Sequence, residues 1–383
     1  MKKKFYVQIP AITVIRLVLN TGFRMIFPFQ PIFMQELGIE LGRMTRMLAG
    51  QSFVGVISPL LASMADRKGR KFGMLVGLAL FTLGGLVVIL RPTVFSFLLF
   101  LILSLLGKSI FDPSMQAYFG DHVPYERRGT VLALTEMSWS GAFFLGVPLV
   151  GFLLGRVGLL APFLLLTALG VLSFISVIWL IPPDPEPDSG RPSILVNFGT
   201  VFSSPAAWAG LSLMILICLA NQVVNVSFGV WLNNSFALQA TALGIASAVI
   251  GAAEFVGEGG VSIISDRLSK KRAVRVGILS SILSAAVLPW LGQTQAGALI
   301  GLFLFYLSFE FTIVSAIPLM TGVVPAARAT LMALNIASAN LGRGVGSWVA
   351  APVFELGFRY TAWLAALVNL GALLALHFVT VKE

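Results

Sequence analysis

Long apolar runs separated by short charged clusters constrain this chain more than any other feature of its sequence. Of its 383 residues, 57% are hydrophobic and only 11% are charged, whereas soluble domains carry about 25% charged residues. A bilayer has no water to satisfy the backbone, so each run must form a helix of roughly 20 residues. The runs at 75–90 and 160–181 lack the alternation of a membrane β-barrel. We therefore expect an all-α membrane protein.

The chain contains twelve such runs, which predict twelve transmembrane helices in two six-helix halves. The predicted spans are 8–34, 44–64, 72–90, 94–119, 130–154, 159–181, 205–232, 241–264, 273–291, 296–321, 329–350 and 359–379.

Basic residues are distributed unevenly between the two sets of alternate loops. One set contains clusters such as 67–71 and 267–275, and the other contains only scattered arginines such as Arg91 and Arg156. Since cytoplasmic loops retain Lys and Arg, we expect a multi-pass protein of the cytoplasmic membrane with both termini in the cytoplasm. The net charge of +10 is thus explained by topology. The sequence contains no basic soluble domain of the kind that binds nucleic acid, so we expect no nucleic-acid partner.

A proline-rich acidic stretch, 182–192, follows the sixth run and cannot continue a helix. We predict an N-terminal six-helix half at 1–181, a cytoplasmic linker at 182–204 and a C-terminal six-helix half at 205–383.

The two halves resemble one another at an offset of 200 positions. Asp66-Arg67 recurs as Asp266-Arg267, the triplet at 128–130 recurs at 328–330, and Gly146 falls opposite Gly346. Three matches at one spacing, in equivalent loops and spans, indicate an internal duplication.

The loop after the second run contains Asp66, Arg67, Gly69, Arg70 and Lys71. This pattern resembles the signature of the major facilitator superfamily, whose members are twelve-helix transporters. The resemblance implies that these residues, with Asp266 and Arg267 in the second copy, form a cytoplasmic charge network that gates transport. The match is incomplete, because the first glycine of the signature is Ala62 here and the second copy has serine at both glycine positions.

The fifth run carries small residues and a proline at Gly141, Gly146, Pro148 and Gly151. It resembles a loose form of the glycine-proline motif of the antiporter branch of the superfamily, which is mainly a drug-efflux branch. The alternative interpretation is close helix packing by small residues.

Charged and amide residues inside the predicted spans mark a candidate pathway, because an unpaired charge at bilayer depth costs about 2.5–3.5 kcal/mol. The superfamily lines its central cavity mainly with spans one, four, seven and ten. The candidate substrate- and proton-binding residues are Arg16, Asn20, Arg24, Lys108, Asp112, Gln116, Glu136, Asn221, Gln222, Asn225 and Glu310. A structural alternative is that pairs such as Lys108 and Asp112 only neutralise one another. We prefer Asp112 as the proton site, followed by Glu136 and Glu310.

These features predict a monomeric secondary transporter that moves a small, amphipathic organic solute by proton-coupled efflux within membrane lipid. Uptake of an anionic nutrient, a lipid flippase and a non-transporting sensor remain alternatives. We expect no enzyme activity, cofactor or metal. Gly107-Lys108-Ser109 lacks the earlier glycine of a phosphate-binding loop, and His122 and His377 are isolated in the sequence.

The topology predicts that Arg128 and Arg328 both face the cytoplasm. A cysteine placed at either position, in a Cys218→Ala background, should react with a membrane-impermeant thiol reagent only from the cytoplasmic side. Labelling from outside intact cells would contradict the assigned orientation.

Overall fold

The computed structural model describes residues 3–61, 68–183, 198–264 and 268–381, and throughout these ranges the regular elements are helices. Those before residue 184 are α1 (Lys3–Arg24), α2 (Gln30–Leu37), α3 (Leu41–Gly55), α4 (Arg70–Leu90), α5 (Val94–His122), α6 (Tyr125–Gly141), a π-helical turn (Ala142–Gly146), α7 (Val147–Arg156) and α8 (Leu160–Leu180).

The regular elements after residue 197 are also helices. They are α9 (Phe198–Phe202), α10 (Pro205–Phe236), α11 (Ala240–Ile264), α12 (Lys270–Leu291), α13 (Gln295–Met320), a 3₁₀ turn (Pro325–Ala327), α14 (Arg328–Glu355) and α15 (Phe358–Phe378).

Within the described residues, nine helical segments are long and apolar enough to cross a membrane, counting α6 and α7 as one. The other predicted spans contain α1, α3 and α14, of which α3 has 15 residues and the other two carry charged side chains. Large apolar side chains remain exposed along the helices, for example Trp179 at 83% and Leu90 at 74%. Such a surface is expected where lipid replaces water as the solvent.

The predicted first span, 8–34, is broken into two helices in the structure. Helix α1 ends at Arg24 and α2 begins at Gln30. Pro28 lies in the intervening turn and has no amide hydrogen, while Pro31 lies in the first turn of α2, a position that proline favours. The break is therefore a consequence of the two prolines.

One compact unit comprises Met1–Gly38, Ile57–Pro192 and Gln239–Ala248. Within it α4 packs against α5 and α8, while α1 packs against α5 and α6. The contact between α4 and α5 is close because Gly77 and Gly107 face one another, and a Cβ atom on Gly77 would lie 2.9 Å from the Cβ of Phe111.

The second compact unit comprises Ile39–Val56, Ser193–Leu238 and Val249–Glu383. Helix α10 packs against α14 and α15, and α12 packs against α13. Helix α3 lies along α14, where Asn340 Nδ2 donates to the carbonyl oxygen of Gly55 at 2.9 Å. The unit boundaries thus depart from the predicted halves at α3 and at the start of α11, and most of the predicted linker lies outside the described residues.

The internal repeat is visible in contacts as well as in sequence. Lys71 Nζ donates to the carbonyl oxygens of Ile178 and Ile181, each at 2.7 Å, at the C-terminus of α8. Lys271 Nζ makes the equivalent bonds at the C-terminus of α15, to His377 at 2.9 Å and Val379 at 2.7 Å. A cation here satisfies terminal carbonyl groups and complements the helix dipole.

Replacing either lysine with methionine should destabilise its own unit by about 1 kcal/mol, because two terminal carbonyls lose a charged donor. Thermal unfolding of purified Lys71→Met and Lys271→Met should show similar losses, and the matched Lys→Arg variants should keep most of the stability. A large loss in only one of the two methionine variants would contradict the structural equivalence.

Candidate functional site

The polar face of α1 packs against α6. Arg16, Asn20 and Arg24 are spaced four residues apart and therefore share one side of the helix. Each side chain donates to α6. Arg16 Nη1 donates to the carbonyl oxygen of Thr135 at 2.9 Å. Asn20 Nδ2 donates to the hydroxyl oxygen of Ser138 at 3.1 Å, and Arg24 Nη1 donates to the carbonyl oxygen of Trp139 at 2.8 Å. The predicted face of α1 is thus directed at one neighbouring helix.

Arg16 joins three helices through its guanidinium group, and only 4% of the residue is exposed. Its Nε lies 3.0 Å from Asp112 Oδ1 on α5, and its Nη2 lies 2.9 Å from Glu136 Oε2 on α6. With Nη1 bonded to the carbonyl of Thr135, every nitrogen of the guanidinium has a partner. The planar, permanently charged guanidinium is suited to such multiple pairing.

Asp112 has two cationic partners. Lys108, one turn earlier on α5, donates to Asp112 Oδ2, and Arg16 pairs with the same carboxylate from α1. The side chains of Lys108 and Asp112 are only 14% and 16% exposed. Neutralisation within α5, the structural alternative, therefore describes only part of the arrangement.

Glu136 is the more accessible carboxylate of the cluster, with 43% of its side chain exposed. Its other oxygen, Oε1, accepts a hydrogen bond from Gln116 Nε2 at 3.1 Å. Arg16, Lys108, Asp112 and Glu136 contribute two positive and two negative charges, and we call these four residues the ionic cluster. Its net charge is zero.

Aromatic rings lie beside the ionic cluster. The Cζ atom of Arg24 lies 4.1 Å from the ring centroid of Trp139 and 3.6 Å from that of Phe143. Lys108 Nζ lies 5.2 Å from the centroid of Trp139. Cations favour the faces of aromatic rings, so charged and apolar side chains lie together here; Arg24 and Phe143 are buried, and Trp139 is partly exposed. Sequence reasoning missed both rings, although Glu136, Trp139 and Phe143 have the helical spacing of one face.

The glycine-proline segment lies at a π-helical turn. The amide of Val147 donates to the carbonyl of Ala142, five residues earlier, and Pro148 has no amide hydrogen to donate. The segment also packs closely: a Cβ on Gly141 would lie 3.3 Å from Leu17 of α1, and Gly146 faces Thr21 on the same helix. Gly151 instead faces α11, at Ala240 and Gly244.

Comparison with known proteins shows what kind of molecule carries this site. A family model described as Major Facilitator Superfamily matches residues 12–324. The chain belongs to the major facilitator superfamily. It is an all-α membrane protein with the twelve-helix fold of that superfamily, and it is a transporter and not an enzyme.

Individual relatives are distant. The "Uncharacterized MFS-type transporter YwfA" of Bacillus subtilis is 28% identical over 332 residues, which cover 81% of this chain and 75% of that protein. The "Quinolone resistance protein NorA" of Staphylococcus aureus is 25% identical over 194 residues, 48% of this chain and 49% of that one. A crystal structure of the nucleoside transporter NupG has a TM-score of 0.78 with 14% identity, covering 96% of this chain and 98% of that one.

The second unit of the transporter carries an uncharged polar network on α10. Tyr306 OH donates to Asn225 Oδ1 at 2.8 Å, Asn225 Nδ2 donates to Gln222 Oε1 at 3.4 Å, and Gln222 Nε2 donates to Ser347 at 3.0 Å. Asn221, also predicted, is buried, and its Nδ2 has no hydrogen-bond partner among the residues that the structure describes. Sequence reasoning missed Tyr306 and Ser347, since tyrosine and serine occur in many membrane helices without such roles.

Glu310 lies on α13 one turn after Tyr306 and is only 6% exposed. It belongs to the second unit, whereas the ionic cluster belongs to the first. The structure thus places the predicted residues in two groups, the larger of which is centred on Arg16.

The predicted gating residues are only partly described. Asp66, Arg67, Asp266 and Arg267 lie outside the described residues. Gly69 precedes α4 with a φ of 122°, a backbone conformation that favours glycine. Arg70 Nε pairs with Asp121 Oδ2 on α5 at 3.0 Å, a partner that sequence reasoning missed. Lys71 caps α8, as described above.

The ionic cluster predicts the effect of removing Asp112. Asp112→Asn leaves Lys108 buried without its counter-ion and should lower the free energy of unfolding by about 3 kcal/mol. The double variant Lys108→Met/Asp112→Asn should recover most of that loss. Thermal unfolding in detergent tests this, with Asp121→Asn as the exposed control; an equal loss in the control, or no recovery in the double variant, would contradict the charge balance.

Proposed function

We propose that this transporter moves a small, amphipathic organic solute by proton-coupled alternating access, in the efflux direction. The observation that carries the proposal is the ionic cluster, which lies on three helices of one unit and contains both deeply buried and partly exposed charges. Charges in membrane-spanning helices are costly, and they usually mark a substrate or proton route.

Proton coupling is supported by the carboxylates of the cluster. A carboxylate that gains and loses a nearby cation can release and bind a proton as its surroundings change. The partly exposed ring of Trp139, which lies beside Arg24 and Lys108, supplies an apolar contact next to these groups.

The efflux direction is supported by relatives. NorA is named for quinolone resistance, and other relatives are named multidrug resistance proteins. The glycine-proline segment agrees with this direction through its resemblance to the antiporter branch. We further propose a location in the cytoplasmic membrane, cytoplasmic termini, a monomeric state and gating by Asp66, Arg67 and their repeats Asp266 and Arg267.

A second candidate function is proton-coupled uptake of an organic anion. One observation favours it: Arg24 and Lys108 both lie over the ring of Trp139, which places two cations around one apolar surface. Such a surface suits a solute with an acidic group and an apolar body.

Transport by purified protein in liposomes distinguishes the two candidates. We expect a pH gradient to drive a fluorescent quinolone against its own gradient, and Arg16→Gln to abolish this flux because Asp112 and Glu136 lose their shared cation. A nucleoside, a sugar, a lipophilic cation and an aromatic carboxylate complete the panel. Transport of the carboxylate alone, in the same direction as protons, would favour uptake; no gradient-driven flux of any probe would contradict the proposed function.

A further inference from the structure

We infer that Glu136 is the residue that takes up and releases the transported proton, and that Asp112 is a permanent counter-ion. The inference rests on the proton coupling proposed above and adds the residue responsible. It reverses the order of preference obtained from the sequence, in which Asp112 came first.

Asp112 is held too firmly to exchange a proton. It faces two cations, Arg16 and Lys108, and its side chain is 16% exposed. A proton on Asp112 would leave Lys108 buried without a carboxylate, since Asp112 is its only ion-pair partner in the described structure. Removing one partner of a buried ion pair is strongly unfavourable because the other charge is left uncompensated.

Glu136 is held more weakly. Its ion-pair partner among the described residues is Arg16, and 43% of its side chain is exposed, compared with 16% for Asp112. The charged groups that face it are Arg16 on α1 and, through longer-range interactions, Lys108 on α5. Asp112 shares Nη2 of Arg16 with Glu136: this nitrogen lies 3.4 Å from Asp112 Oδ2 and 2.9 Å from Glu136 Oε2.

The neighbours of Glu136 remain satisfied after it is protonated. Arg16 retains its bonds to Asp112 through Nε and Nη2 and to the carbonyl of Thr135 through Nη1. Gln116 can follow the change, because its amide can donate to a carboxylate or accept from a carboxylic acid. The step adds one proton to a Glu136 oxygen, breaks the ion pair with Arg16 and changes the charge of the ionic cluster from zero to +1.

This change in charge links the proton to the substrate. A cationic solute binds more favourably while Glu136 is ionised and is therefore expelled as the proton binds, which gives exchange. An anionic solute binds more favourably to the +1 state and moves together with the proton. One carboxylate thus supports either direction of coupling, and the sign of the solute charge selects between them.

Infrared pH-difference spectroscopy of the full chain in lipid nanodiscs tests the assignment without any substrate. On acidification, all other carboxylates contribute equally to wild type and variant, so the difference between wild type and Glu136→Gln isolates the band of Glu136. We expect wild type to gain a carboxylic acid C=O band that Glu136→Gln lacks and that Glu136→Asp keeps at a shifted frequency. The variant Asp112→Glu, which keeps a carboxylate beside Arg16 and Lys108, should leave the band at its wild-type frequency.

Two results would overturn the inference: a band that persists in Glu136→Gln, or one that shifts in Asp112→Glu. In the liposome assay, Glu136→Gln should lose gradient-driven accumulation of the quinolone but still exchange it across the membrane at equal pH. Wild type that shows the Glu136 band but no flux would contradict the proposed function and leave the assigned proton site in place.

Discussion

Every charge within a membrane-spanning helix must find a partner, and in this transporter one guanidinium group meets that requirement for three helices. Arg16 on α1 pairs with Asp112 on α5 and Glu136 on α6, and it also donates a hydrogen bond to a backbone carbonyl oxygen of α6. The packing of α1 therefore depends on electrostatics as much as on shape. In lipid the hydrophobic effect does little to hold one helix against another, so polar contacts between helices contribute more to their packing.

The sequence predicts much of this architecture, because its strongest signals are local. Apolar runs of bilayer length indicate the spans, and a spacing of four residues places Arg16, Asn20 and Arg24 on one face. The pairing of Arg16 with Asp112 joins residues 96 positions apart, and no local pattern specifies it. The preference for Asp112 as proton site rests on a local signal: its neighbour Lys108 is visible in the sequence, whereas its second cation, Arg16, is not.

The internal repeat has conserved contacts within the chain while the chemistry of its copies has diverged. Lys71 and Lys271 cap equivalent helices, and Gly346 faces Gln222 of α10 much as Gly146 faces Thr21 of α1. Yet α1 carries arginines, whereas α10 carries amides bonded to a tyrosine and a serine. The equivalent helices of the two units therefore carry different polar chemistry, charged in α1 and neutral in α10.

The π-helical turn at Ala142–Gly146 has a consequence for how this span is compared with others. In a regular α-helix, positions five apart are rotated by about 140° from one another, yet Gly141 and Gly146 both face α1. The wider turn contains one extra residue, which returns the second glycine to the same side. A relative with an uninterrupted helix would present a different face after this point. The positions of the two helices after the turn would correspond only if one residue of this chain were left without an equivalent inside the span.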